Sequence, residues 1–209
     1  MHRLSVYCLF GLFSLCLPSQ SAVFRFDTDP FAGSTALTTP GRQIVGGEDS
    51  INFSIATDVF SLESTAFGVA APVLFVNDLS ASLPASGVNV IVLHDTPDPF
   101  NAGLAANLIA AQITTPGPGF FIYFNSGLGV PRLVYSADLD DSTADLKVLF
   151  RLTNLGSADL PSFTASNFEI TTVPEPSAVS MVAGAGVLLA ARGWWHRGRR
   201  PRTRTAPRS

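Results

Sequence analysis

Phe120-Phe121-Ile122-Tyr123-Phe124 is followed by Asn125-Ser126-Gly127-Leu128-Gly129 and then by Arg132-Leu133-Val134-Tyr135. An aromatic, β-branched run of this kind reads as a strongly buried strand. Asn, Ser and Gly supply turn chemistry, so the second run reads as the returning strand of a hairpin. Working outward, Leu146-Lys147-Val148-Leu149-Phe150-Arg151-Leu152 alternates, with Lys147 and Arg151 interrupting the pattern. Upstream, Val88-Asn89-Val90-Ile91-Val92-Leu93 and Pro72-Val73-Leu74-Phe75-Val76 are short apolar runs bounded by turn residues, and Ile51, Phe53 and Ile55 alternate with Asn52 and Ser54. Ala102 to Gln112 is rich in Ala and Leu and free of proline, which predicts one short helix. Gly and Pro contribute 32 of 209 residues, which favours turns over long helices. The expected fold is mainly β: a single β-sandwich or jelly-roll-like ectodomain over residues 22–172 with one short helix.

Composition excludes a disordered chain. Apolar residues make up 46% and charged residues 14%, and the mean hydropathy is +0.31, the reverse of the disordered signature. The net charge of −3 hides three zones. Residues 22–173 hold five basic and 15 acidic side chains, a balance of −10, while seven of the 13 basic residues follow Ala191. An acidic body repels phosphate backbones, so no nucleic-acid partner is expected.

The first 21 residues read as an export signal. His2 and Arg3 are followed by an almost wholly apolar stretch from Leu4 to Leu17, then Pro18 and the small or polar residues Ser19, Gln20, Ser21 and Ala22. Cleavage after Ser21 places Ser19 at the −3 position, whereas cleavage after Ala22 places Gln20 there, a poorer fit. Both cysteines, Cys8 and Cys16, lie in this leader. The processed chain therefore has no disulfide, zinc-thiolate site or cysteine nucleophile. Phe13-Ser14-Leu15-Cys16 lacks the small residue a lipidation site usually places before its cysteine.

The other end is tripartite. Pro174-Glu175-Pro176 removes two N–H donors and stops any preceding element. An apolar run from Ala178 leads into Trp194 and Trp195, and Arg197, Arg199 and Arg200 begin a basic end. Residues 178–195 give about 27 Å of helix at ~1.5 Å per residue, slightly short of a ~30 Å hydrocarbon core. Indoles suit the interface, and the arginines suit the cytoplasmic side. The tail over 173–209 resembles the PEP-CTERM sorting signal of Gram-negative bacteria, in which a Pro-Glu-Pro motif, one apolar helix and a short Arg-rich end occur in that order. That resemblance implies removal of the tail by an exosortase. It also implies an exported chain, anchored in the inner membrane until processing and then secreted or held at the cell surface, with the export machinery, the exosortase and exopolysaccharide as partners. The stretch after Arg200, running on to Ser209, is longer than the family's usual end. Gly41 to Ser50, Phe120 to Ser126 and Arg132 to Ser136 are similar to a recurrent ectodomain of these proteins, a resemblance that implies no activity.

Three features of the body are candidates for chemistry. Ile44-Val45-Gly46-Gly47-Glu48 resembles the activated N-terminus of trypsin-like proteases. However, Gln43 precedes Ile44, the remaining chain is too short for two barrels, and no Gly-Asp-Ser-Gly-Gly follows. A Gly-Gly bend between two strands is the expectation. His94, the single histidine of the body, precedes Asp95 and could serve a Ser-His-Asp triad, but no Gly-x-Ser-x-Gly elbow accompanies it. The simpler expectation is a polar residue facing a turn. Asp138, Asp140, Asp141 and Asp145 are hard oxygen ligands of the kind calcium takes, without the Gly and terminal Glu of an EF-hand; the alternative is a solvated turn. Asp27-Thr28-Asp29-Pro30 reads likewise as a turn. No phosphate loop or nucleotide fingerprint occurs, and a lectin platform built on tryptophan is disfavoured because both Trp lie in the tail. A structural or adhesive envelope protein without enzymatic activity is the leading expectation. A secreted hydrolase or carbohydrate-binding protein using His94 and nearby carboxylates is the alternative, to be separated by whether His94, a carboxylate and a serine hydroxyl converge.

Overall fold

The computed structural model describes residues 21–172. The chain divides into two units, residues 1–171 and 172–209, and the fold below is that of the first. The leader, the Pro-Glu-Pro motif, the segment 178–195 and the Arg-rich end lie outside the described residues.

The protein is mainly β, with few and short helices. Ten strands run in chain order: β1 (Val23–Phe26), β2 (Ile44–Val45), β3 (Asp49–Ile51), β4 (Val59–Glu63), β5 (Phe75–Asp78), β6 (Val90–Leu93), β7 (Gly119–Asn125), β8 (Val130–Ser136), β9 (Leu146–Leu152) and β10 (Phe168–Thr171). Two α-helices, α1 (Ser64–Phe67) and α2 (Ala102–Ala110), and three 3₁₀ turns complete the described residues. The strands form a three-stranded sheet, β1-β4-β10, and a seven-stranded sheet, β2-β9-β8-β7-β6-β5, in which β3 also pairs with β9.

The larger sheet is buried on both faces, and its side chains divide by parity. Val90 and Val92 of β6, Phe120 and Ile122 of β7, and Leu133 and Tyr135 of β8 share one core with Phe60 and Leu62 of β4 and Phe168 and Ile170 of β10. Ile91 and Leu93, Phe121 and Tyr123, and Val134 join a second core with Ala102, Ala105, Ala106 and Ile109 of α2. This is why Phe120 to Phe124 has no polar face: one side of the strand meets the small sheet and the other the helix. Small alanines let α2 approach the sheet closely, and Asn101 caps it by accepting from the Leu104 amide at 3.0 Å.

The predicted hairpin is present: β7 and β8 pair antiparallel from Gly119↔Ser136 to Asn125↔Val130, closed by residues 126–129. The interrupted alternation of Leu146–Leu152 has a structural cause. Leu133 faces Phe150 while Val134 faces Val148, so Leu149 is an extra residue, a β-bulge. Parity switches there: Leu146 and Val148 lie in the helix-side core, and Phe150 and Leu152 in the core shared with the small sheet.

The pairing differs from a jelly-roll, whose Greek keys are antiparallel. Within the described residues β1, β4 and β10 are mutually parallel, as are β5, β6 and β7, and β2 and β3 run parallel to β9. The physical reason lies in the connections. Parallel neighbours need crossovers, and the chain supplies them by passing between sheets after β1, β3, β4 and β9, by the connection with the 3₁₀ turn Ser80–Ser82 between β5 and β6, and by placing α2 between β6 and β7. Residues 51–55 also differ from expectation. The strand ends at Ile51, and Phe53 is fully buried from a loop. Asn154 holds that loop like a strand partner: its Oδ1 accepts from the Phe53 amide at 2.8 Å and its Nδ2 donates to the Phe53 carbonyl at 3.1 Å.

Candidate functional site

Gly46-Gly47-Glu48 forms the expected bend between two strands. From Val45 to Asp49 the chain advances four residues while its partner β9 advances three, from Lys147 to Phe150. The bend is therefore a bulge, and Gly47 provides its left-handed backbone, at φ 90°. The bulge turns Glu48 inward until its side chain is only 4% exposed. There it meets two arginines that sit directly opposite each other, Arg132 on β8 and Arg151 on β9. Arg151 Nε donates to Glu48 Oε1 at 2.7 Å, and Arg132 Nη2 donates to the same oxygen. Burial pushes the Glu48 carboxyl up, but its own backbone amide and the two guanidinium groups outweigh that and hold it below the ordinary value. One carboxylate thus neutralises two cations that would otherwise repel across adjacent strands, and ties the β2–β3 edge to the centre of the sheet. Arg132 Nε is buried without a partner. Arg151, 41% exposed, keeps part of its donor fork in solvent.

His94 does not form a triad. Its Nε2 bonds to the Asn77 Oδ1. Because Asn77 Nδ2 donates to the Leu160 and Phe163 carbonyls at 3.1 and 2.9 Å, Asn77 Oδ1 is the acceptor and His94 Nε2 carries the proton. The nearby hydroxyl, Ser80 Oγ, donates to Asp95 Oδ1 at 2.9 Å, and the Ser80 amide donates to Asp95 Oδ2 at 2.7 Å. Histidine, carboxylate and serine are therefore neighbours in the fold, but the serine proton goes to the carboxylate and the histidine is engaged by an amide that pins a 3₁₀ turn.

The four aspartates diverge. Asp138 Oδ1 accepts from the Gly117 and Asp140 amides at 2.9 and 3.1 Å. Asp141 Oδ1 accepts from Thr143 N and Oγ1 at 2.7 and 2.8 Å. Asp145, 8% exposed, accepts from the Leu37 amide at 2.6 Å and the Gln43 amide at 2.5 Å. The carboxylates of Asp138, Asp141 and Asp145 each organise a separate piece of loop backbone, and among the described residues no group of three or more His, Cys, Asp or Glu is placed to hold a metal ion. The calcium expectation at Asp138, Asp140, Asp141 and Asp145 accordingly finds no common centre.

Two features were not anticipated. An open cleft of about 740 Å³ is bordered by Ser54, Asn154, Ser162, Thr164 and Ser166 together with Asp159 and the apolar Phe53, Ile55, Ala56 and Leu155, a mixed polar and apolar surface made by segments that carry no motif. Asp58, only 5% exposed, is the second: its Oδ1 accepts from the Ala22 amide at 2.9 Å and from Thr57 Oγ1 at 3.0 Å, and its Oδ2 accepts from the Ser54 amide at 2.8 Å. Burial pushes this carboxyl up and the three hydrogen bonds bring it below its ordinary value.

No family model, no curated protein and no solved structure matches the chain. Among the described residues no helix is long and apolar enough to cross a membrane.

Proposed function

We propose that this is an exported cell-envelope or extracellular-matrix protein, sorted through a PEP-CTERM tail and serving a structural or adhesive, non-enzymatic role beside exopolysaccharide. The observation that carries the reading is the ordered tail: Pro174-Glu175-Pro176, the apolar run to Trp194 and Trp195, and the basic end with Arg197, Arg199 and Arg200. Its position adds support, since β10 ends at Thr171, three residues before Pro174, and a processing enzyme needs an extended segment outside the sheets. The hydrogen bonding around His94 supports a role without nucleophilic catalysis, because among the described residues His94 pairs with Asn77 and the nearby Ser80 hydroxyl pairs with Asp95. In this reading the ectodomain is a sandwich-type module, and its cleft, where the hydroxyls of Ser54, Ser162, Thr164 and Ser166 stand beside apolar Phe53 and Leu155, is the surface that meets polysaccharide.

The test is replacement of Pro174, Glu175 and Pro176 together by alanine in the native host, followed by fractionation. The variant is expected to remain full-length in the inner membrane while the parent leaves it. Equal release of parent and variant would overturn the sorting reading.

A further inference from the structure

The small sheet begins one residue beyond the expected leader cleavage point. Ala22 precedes β1, its carbonyl accepts from the Val59 amide at 3.0 Å, and its own N–H points at the buried Asp58. Asp58 stands out. A buried aspartate is normally paired with a cation, yet among the described residues no Lys, Arg or His nitrogen lies within salt-bridge distance of it. Arg25, the one charged residue of β1, pairs with Asp27 just beyond the strand at 3.1 Å. From the 3₁₀ turn ahead of β10, Asn167 meets the Asp58 carbonyl with a neutral amide, at 3.1 Å.

We propose that leader cleavage between Ser21 and Ala22 creates the missing cation, so that the new Ala22 α-ammonium forms a buried ion pair with Asp58 and locks β1 onto β4. The inference rests on the export reading above and adds a structural consequence to it. Hydrolysis adds water across the Ser21–Ala22 peptide bond. The carboxylate leaves with Ser21, and the amine stays on Ala22 and is protonated at neutral pH. The nitrogen already lies 2.9 Å from Asp58 Oδ1, so no rearrangement is needed, and one N–H donor becomes three. Ser21 Oγ, which donates to the Thr57 carbonyl at 2.6 Å, departs with the leader.

The processed chain has two amines, on Ala22 and on Lys147, which makes the test simple. Protein purified after export is sequenced by mass spectrometry and treated with trace acetic anhydride across a pH range, with Lys147 as internal reference. The Ala22 amine is expected to react at least about tenfold more slowly at pH 7 in the native protein than in urea, equivalent to about one unit of pKa, and Asp58→Asn is expected to abolish the difference. Complete acetylation of Ala22 keeps an N–H but removes the charge, so it is expected to lower the melting temperature of the parent. That measurement stands even if Asp58→Asn fails to fold. An N-terminus at Ala22 with unaltered reactivity and melting temperature would overturn the ion pair and leave export intact. An N-terminus elsewhere would overturn the cleavage point and the ion pair with it.

Discussion

The sheet centre formed by β7, β8 and β9 and the small sheet formed by β1, β4 and β10 bury equally apolar side chains by different routes. In the first, Gly119 to Leu152 is nearly one continuous piece of chain, folded by a hairpin whose turn residues lie between its strands. In the second, strands of four or five residues come together from remote parts of the sequence: Val23 pairs with Val59, and Phe60 with Phe168. A local hairpin brings its own loop-closure device, whereas remote parallel strands must recover a larger closure entropy from side-chain packing alone. Phenylalanine supplies that packing. Phe60 stacks on Phe53 with ring centres 4.3 Å apart and also meets Phe24, Phe150 and Phe168 within about 6.2 Å. The small sheet is therefore the part of the domain most dependent on a few rings and on what happens at its ends.

The largest expected effect tests whether the two regions share one fate. Phe60→Ala should cost about 3–5 kcal/mol, as should Phe121→Ala on the helix side of the larger sheet, and urea unfolding followed by tryptophan-independent probes such as far-UV dichroism should keep a single transition in both. A separate early transition in Phe60→Ala alone would make the small sheet an independent unit. Next comes Gly119→Ala at the start of β7. A Cβ there would strike the Leu139 side chain and lie 2.9 Å from the Asn89 carbonyl oxygen, an overpacking cost of about 1–3 kcal/mol readable as a shift in urea midpoint. Glu48→Gln should cost about 2 kcal/mol, because it leaves two opposed guanidinium groups without their shared carboxylate.

The acid limb is a finer comparison. Glu48 in the larger sheet and Asp58 beside the small one both have folded pKa values below the ordinary carboxylate values. Their contribution is therefore complete above the unfolded values of about 4 and is lost as pH falls through the lower folded ones. Urea midpoints measured from pH 6 downward should fall in the parent, and the decline should flatten in Asp58→Asn and in Glu48→Gln. The smallest expected effect is none: excess calcium or a chelator should leave the melting temperature unchanged, since the carboxylates of Asp138, Asp141 and Asp145 are each occupied by separate backbone amides.

The same contrast explains what the sequence made legible. The hairpin, β6, β9 and α2 all announce themselves through runs of seven or more residues, or through turn and cap chemistry next to them. Val23–Phe26, Val59–Glu63 and Phe168–Thr171 do alternate, but over too few residues to stand out, and no local turn signals a partner 36 residues away, as for Val23 and Val59. The Gly46-Gly47 bend could be read, but its consequence could not. Glu48 finds Arg132 and Arg151 only because two bulges, at Gly46–Glu48 and at Leu149, bring all three to one side. The trace of this in the sequence was the misplaced charge of Arg151 within an apolar strand. Asp58 left no trace, since the Ala22 and Ser54 amides and the Thr57 hydroxyl it accepts from are brought to it by the fold and belong to no motif.

In sequence, the two proposed processing points precede β1, at Ser21–Ala22, and follow β10, near Glu175. The intact mass of the protein isolated from its native cells tests the account most directly. A chain beginning at Ala22 and ending near Glu175, without Trp194, Trp195 and the seven tail arginines, is the predicted result. A chain that keeps the tail to Ser209 would contradict it.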